Sequence, residues 1–349
     1  MLKKTLIPIF LFVFIFNVSL VSSEQEKLVL AYYYVWYDSS SWDKCVYHPS
    51  LGNYTSSDRY IINQQIYLAK EHGLDGFIIS WHGQNTFSDN ATKEVFKVAN
   101  VIDDFKLAIM IERVGNTDNW YAFGHDFDNN SYVNALKDDL LYIVNTYIKP
   151  YNETYLTFKG KPVIVFYAFL DTDHLEDDEF YNYFFNELKI YLYEQTGLKF
   201  SFWSLNSVDA YVFDVVAMYL PQLQKDGNPQ CPMKNENYLC KSGVKVSAIF
   251  PMYDDTKLRP NGTKVGDVYR EKWEKALSFN PDIVLITSWN EWYESTSIEP
   301  KAGDWSYLRQ TKYYVDQLKM PSIYWYKNPT TYITVIVIII IIFILLKRL

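Results

Sequence analysis

Several common chemistries lack their raw materials in this 349-residue chain. It carries only three cysteines, five histidines and no long basic run, and its net charge is −8. The acidic balance argues against a nucleic-acid partner. His48, His72, His82, His125 and His174 are scattered, without the short spacings of a ligand set, so neither a metal nor another cofactor is expected. There is no Gly-x-Ser-x-Gly turn and no glycine-rich phosphate loop, which removes the serine-hydrolase and nucleotide readings. Cys231 and Cys240 bracket a polar loop and can pair in an oxidising compartment, leaving Cys45 over. No repeat, linker or low-complexity stretch divides the body.

Apolar runs mark both ends. Lys3 and Lys4 precede the run from Leu6 to Val18, and Val21 and Ser23 stand where a signal peptidase needs small residues. Residues 1–23 therefore read as a cleaved signal peptide, with an uncleaved anchor as the alternative. At the other end, 321–331 reads as a juxtamembrane linker with aromatic Tyr324, Trp325 and Tyr326. Residues 332–346 follow as a membrane span, and 347–349 as a short cytoplasmic tail. A lipid-anchor signal that is later removed is the rival reading. The expectation is a single-pass type I protein of the secretory pathway (Golgi, lysosome or cell surface), its body lumenal or extracellular. Acceptor triplets for N-glycosylation at Asn53, Asn90, Asn129, Asn152 and Asn261 agree with that placement. Nothing in the sequence sets an oligomeric state.

What the chain has in abundance is aromatic residues, 18% of the total, which fill cores and also stack on sugar rings. Within 24–320, eight β-branched or aromatic runs alternate with amphipathic helical stretches. The strand-like runs are Leu28–Tyr37, Gly76–Gly83, Lys106–Arg113, Lys161–Phe169, Lys199–Asn206, Val212–Tyr219, Val244–Tyr253 and one opening at Ile283. Helices are expected from Ser57 or Asp58 to Glu71, near Ala91–Ile102, Tyr132–Tyr147, Asp177–Glu194, Asp267–Phe279 and Tyr307–Leu318. Continuous apolar strands separated by helices imply a parallel sheet covered on both faces. The count fits a single-domain α/β fold, the (β/α)8 TIM barrel, with a doubly wound open sheet as the alternative.

Barrel enzymes place their chemistry at the C-terminal strand ends. Here those ends hold Tyr34, Trp36, Tyr37, Trp81, His82, Glu112, Tyr253, Arg259 and Asn290, with Trp292, Tyr293 and Glu299 close by. These are the candidate substrate-binding residues. Glu291 and Glu294 are the candidate catalytic pair. In an extended strand i and i+3 face opposite ways, so the pair works only if the chain turns after Glu291. Two adjacent carboxyls can then divide as base and acid, as glycoside hydrolysis requires. The competing reading is a structural pair that holds a loop through its backbone.

Trp289-Asn-Glu-Trp-Tyr-Glu-Ser-Thr-Ser-Ile-Glu299 resembles the signature of family 99 glycoside hydrolases, the endo-α-1,2-mannosidases and mannanases. Tyr33–Tyr37, Leu51–Asp58, Asp75–Trp81 and Met252–Pro260 are similar to further family segments. The resemblance implies a metal-free (β/α)8 barrel that cuts inside α-1,2-linked mannosides of N-glycans or mannan-like chains with retention. It also implies that the sugar's own 2-hydroxyl attacks, giving a 1,2-anhydro sugar. Glu291 would take that hydroxyl's proton, Glu294 would protonate the leaving oxygen, and Tyr34, Trp36, Tyr253 and Arg259 would shape the subsites. Tyr293 stands where the family has His, Ser295 where it has Gly, and Ser297 where it has Gln; residues 220–241 depart from the pattern. A hydrolase of another polysaccharide and a non-catalytic glycan-binding protein are the alternatives.

Overall fold

The computed structural model describes residues 27–112, 114, 127–169, 177–205, 211–217, 219 and 244–320. The expected signal segment, the linker, the membrane span and the Cys231–Cys240 pair lie outside these residues, as does the divergent stretch 220–241. Among the described residues, no helix is long and apolar enough to cross a membrane.

Eight parallel strands form the core: β1 (Leu28–Tyr34), β2 (Gly76–Trp81), β3 (Lys106–Ile111), β4 (Lys161–Tyr167), β5 (Ser201–Leu205), β6 (Val215–Ala217), β7 (Val246–Ile249) and β8 (Ile283–Ile286). They pair in chain order from β1 to β6, while β8 pairs with both β7 and β1. β6 and β7 lie side by side, so the ring is nearly closed and the fold is a (β/α)8 barrel. An open doubly wound sheet is excluded because its two end strands, β6 and β7, lie side by side while β8 pairs with β1, so the sheet returns on itself.

Strand alternation divides the apolar side chains between two clusters. Leu30, Tyr32 and Tyr34 of β1, Ile78, Met110, Val165, Trp203 and Leu285 fill the interior. Val29, Ala31 and Tyr33, with Phe77, Ile79, Ile109 and Val284, pack outward on the helices. Those helices are α1 (Arg59–Glu71), α2 (Phe87–Ala99), α3 (Asn130–Ile143), α4 (Asp178–Thr196), α5 (Tyr269–Phe279) and α6 (Ser306–Lys319). Asp58 caps α1 by accepting from Tyr60 N, and Thr86 caps α2 by accepting from Asp89 N. The Thr86 cap explains why α2 begins at Phe87, ahead of the expected Ala91.

The strands are shorter than their sequence patterns, and for two of them the local reason is plain. β1 ends at Tyr34 because the Asn290 side chain takes over both backbone groups of that residue. The seventh run breaks before Pro251, which has no N–H for a ladder. Beyond it, Tyr253–Asp254 pairs antiparallel with Lys264–Val265 in a small hairpin above the barrel. All five acceptor asparagines are exposed. Asn129 also caps α3 through its side-chain oxygen, which leaves its amide nitrogen uncommitted to the cap.

Candidate active site

The segment after β8 builds the site. Trp289 N donates to Tyr32 O (2.8 Å), carrying the β8–β1 pairing one step further. Ser288 N then donates to Thr296 O (2.8 Å), Ile298 N to Ser288 O (2.9 Å) and Glu299 N to Trp289 O (2.8 Å). The chain is thereby folded back on itself, with a turn over Trp292–Ser295 at its tip. This is the turn that places Glu294 beside Glu291: Glu294 N lies 3.3 Å from Glu291 Oε1. Ser295 sits at φ 59°, the left-handed region that favours glycine, and its hydroxyl donates to Asp254 O (2.9 Å). The backbone thus keeps a glycine-type conformation with a serine in place.

Glu291 is 3% exposed. Its Oε1 accepts from Tyr293 N (2.7 Å), Glu294 N (3.3 Å) and the Tyr37 hydroxyl (3.2 Å). Burial, and then the neighbouring Glu294 charge, hold its carboxyl well above the usual carboxylate range, against the pull of those donors. Glu294 is half-buried; burial pushes it up to about 7, with the Arg259 guanidinium the largest opposing influence. The Tyr253 hydroxyl lies 3.2 Å from Glu294 Oε1 and 3.0 Å from Asp255 Oδ2. Arg259 reaches Glu294 Oε1 at 3.5 Å and the Tyr253 oxygen at 3.0 Å. The two neighbouring carboxyls are thus both raised, in each case by burial first.

An aromatic wall stands beside the pair. The Trp36 ring is 4.5 Å from Tyr34, 5.3 Å from His82 and 6.2 Å from Tyr293, and Tyr293 lies 5.2 Å from Tyr37. His82 Nε2 meets Glu112 at 3.4 Å and the Ser80 hydroxyl at 3.2 Å. The Tyr34 hydroxyl donates to that of Tyr219 (2.6 Å). Tyr34, Trp36, Tyr37, His82, Glu112, Tyr253, Arg259 and Tyr293 are therefore gathered around the two glutamates.

Four expected substrate contacts sit elsewhere. Trp81 has the outward parity of β2; it is fully buried against the helices, with its indole donating to Asp89. Asn290 is buried as the clamp on Tyr34. Trp292 and Glu299 are buried behind the turn, bonded to each other at 3.1 Å. Tyr219, Tyr54 and Gln65 join the site or its support without having been singled out in the sequence. Tyr219 ends the sixth strand-like run with inward parity, and that was the available signal. Gln65 lies within α1, where no sequence pattern marks it. Among the described residues, no group of three or more His, Cys, Asp or Glu is placed to hold a metal ion.

Relatives carry names that fit this geometry. A human glycoprotein endo-alpha-1,2-mannosidase-like protein is 25% identical, covering 80% of this chain and 62% of its own length. Mouse glycoprotein endo-alpha-1,2-mannosidase is 23% identical over 72% of this chain and 56% of its own. The GH99 endo-alpha-mannosidase of Bacteroides thetaiotaomicron superposes with a TM-score of 0.62 at 19% identity, over 83% of this chain and 97% of that one. The chain has a GH99-like domain. No protein-family model matches it. The chain spans less than two thirds of the length of the curated relatives it matches. Within the GH99-like domain, the β8 turn with its two glutamates is the feature on which the functional reading rests.

Proposed function

We propose that the protein is a retaining endo-α-mannosidase acting on α-1,2-linked mannosides of N-glycans or mannan-like chains. The observation that carries this reading is the Glu291–Glu294 pair on the turn beyond β8, walled by Trp36, Tyr37 and Tyr293. Three donors converge on Glu291 Oε1 and stabilise its ionised form against the burial that raises it, which supports the base role for Glu291 and the acid role for Glu294.

In this mechanism Glu291 takes the proton of the sugar 2-hydroxyl as that oxygen attacks the anomeric carbon. Glu294 gives its proton to the departing glycosidic oxygen. Water then opens the 1,2-anhydro ring at the anomeric carbon, losing its proton to Glu294, while Glu291 returns its proton to the 2-oxygen. Two inversions give net retention, and both carboxyls end as they began. Tyr34, Trp36, Tyr253 and Arg259 line the flanking subsites. The exposed asparagine acceptors support a place in the secretory pathway, with the signal peptide and the C-terminal span as proposed targeting and anchoring segments.

Glu294→Gln tests the reading. Incubation with α-1,2-linked manno-oligosaccharides, read by product mass, should show turnover down about 10²–10⁴-fold, the usual contribution of a positioned acid. Undiminished turnover would refute it. A second reading, the same chemistry on another glycan, is favoured by Tyr293, whose ring packs beside Trp36. Comparing products from plain and glucosylated mannans and from unrelated polysaccharides separates the two.

A further inference from the structure

We infer that Glu299 and Gln65 form a positioning pair that sets the geometry of the carboxylate-bearing turn. The inference rests on the functional reading above and deepens it, because both residues lie outside the reacting set. Gln65, on α1, is 0% exposed and Glu299 is 1% exposed, so neither reaches substrate. Every oxygen of the Glu299 carboxylate is engaged. Oε1 accepts from Gln65 Nε2 (2.8 Å), and Oε2 accepts from the Tyr54 hydroxyl (2.8 Å) and Trp292 Nε1 (3.1 Å). The Tyr33 hydroxyl donates to Gln65 Oε1 (2.5 Å), which turns the amide nitrogen toward Glu299.

The two residues flanking Glu291 both hang from this network. Asn290 Nδ2 and Trp292 Nε1 each donate to the Tyr54 oxygen (3.3 Å), whose own proton goes to Glu299. Trp292 N donates to the Tyr37 hydroxyl (2.8 Å), and that hydroxyl donates to Glu291 Oε1 (3.2 Å). Glu299 thus fixes the chain on either side of Glu291 and, through Tyr37, one donor to its carboxylate. The chain of contacts runs from α1, on the outer layer, through the turn to the barrel mouth.

The donor and acceptor pattern predicts a reciprocal test. Gln65→Glu alone sets two buried carboxyls face to face. In the double variant Gln65→Glu/Glu299→Gln the roles are exchanged: the new glutamate accepts from Tyr33 and from the new amide, whose oxygen still accepts from Tyr54 and Trp292. The full-length chain would be assayed on an α-1,2-linked manno-oligosaccharide. Gln65→Glu should lower kcat about 10²-fold, the scale of a sub-ångström to ångström misplacement, with KM near the wild-type value. The double variant should recover most of that loss. In tryptophan-labelled protein, the Trp292 indole N–H signal, identified by its loss in Trp292→Phe, should move in the single variant and return in the double. Wild-type kcat in Gln65→Glu, or a double variant no better than the single one, would overturn the pairing. A wild-type protein that cleaves no manno-oligosaccharide would instead refute the functional reading. The indole signal would still judge the pair: return in the double supports it, no displacement in the single refutes it.

Discussion

Glu299→Gln carries a quantitative prediction about pH. Burial pushes the Glu299 carboxyl from 4.5 to about 7. A carboxyl raised in the folded state binds its proton more tightly there than in the unfolded chain. Its contribution to stability is therefore complete below about 4.5 and is lost as pH rises through about 7. The displacement corresponds to about 3 kcal/mol. For a domain of this size that is about 5 °C in Tm across the window. Glu291 and Glu294 are also raised and add to the slope in the same direction, but they are present in both proteins and cancel in the difference. Calorimetry of wild type and Glu299→Gln at several pH values from 4.5 to 8 isolates the Glu299 share. Lost hydrogen bonds move the variant's curve bodily; only titration changes its slope. The variant should lose about 3 kcal/mol less than wild type over that range. Parallel curves, or a wild type that gains stability as pH rises, would refute the argument.

Arg259→Gln removes the guanidinium that opposes the rise of Glu294, so the Glu294 carboxyl should climb above about 7. The basic limb of the kcat/KM profile should then move to higher pH; a move to lower pH contradicts the assignment of Glu294 as acid. Asp89→Ala strips the acceptor from Trp81 Nε1, the Tyr142 and Tyr147 hydroxyls and Lys93. Denaturant unfolding should show a loss of about 3–5 kcal/mol with KM unchanged, since Asp89 lies on the helix side of the sheet. Ser295→Gly exchanges relief of left-handed strain, about 1–2 kcal/mol, for the loss of one hydrogen bond, about 1 kcal/mol. Its stability should stay within about 1 kcal/mol of wild type; a large loss would mean that the hydroxyl holds the turn.

The barrel was legible because its signals are local. Runs such as Gly76-Phe-Ile-Ile-Ser-Trp81 are apolar on both faces, and that pattern suits only a strand buried on both sides. Caps such as Asp58 are equally local, since the side chain bonds to a neighbour two residues away. The β8 motif marked the two glutamates for a similar reason: two carboxyls at close spacing after an apolar strand are uncommon unless used or held. Parity within a strand was legible too, and it would have kept Trp81 out of the site had the inward face of β2 been known. It was not, because a strand buried on both faces does not reveal which one looks inward.

Sequence alone therefore determined the alternation of strands and helices, the eightfold count and the address of the carboxyl pair. Tertiary structure decided which polar residues serve the pair and which support it. Glu299 and Glu294 read alike in the chain, yet one is sealed behind Trp292 by three donors while the other stands half-buried beside Arg259. Gln65 and Tyr54 are joined to that division only by contacts across the fold. The physical reason is that a carboxyl's role follows from its burial and its donors. Those are supplied by segments far apart in sequence, here β1, α1 and the turn beyond β8.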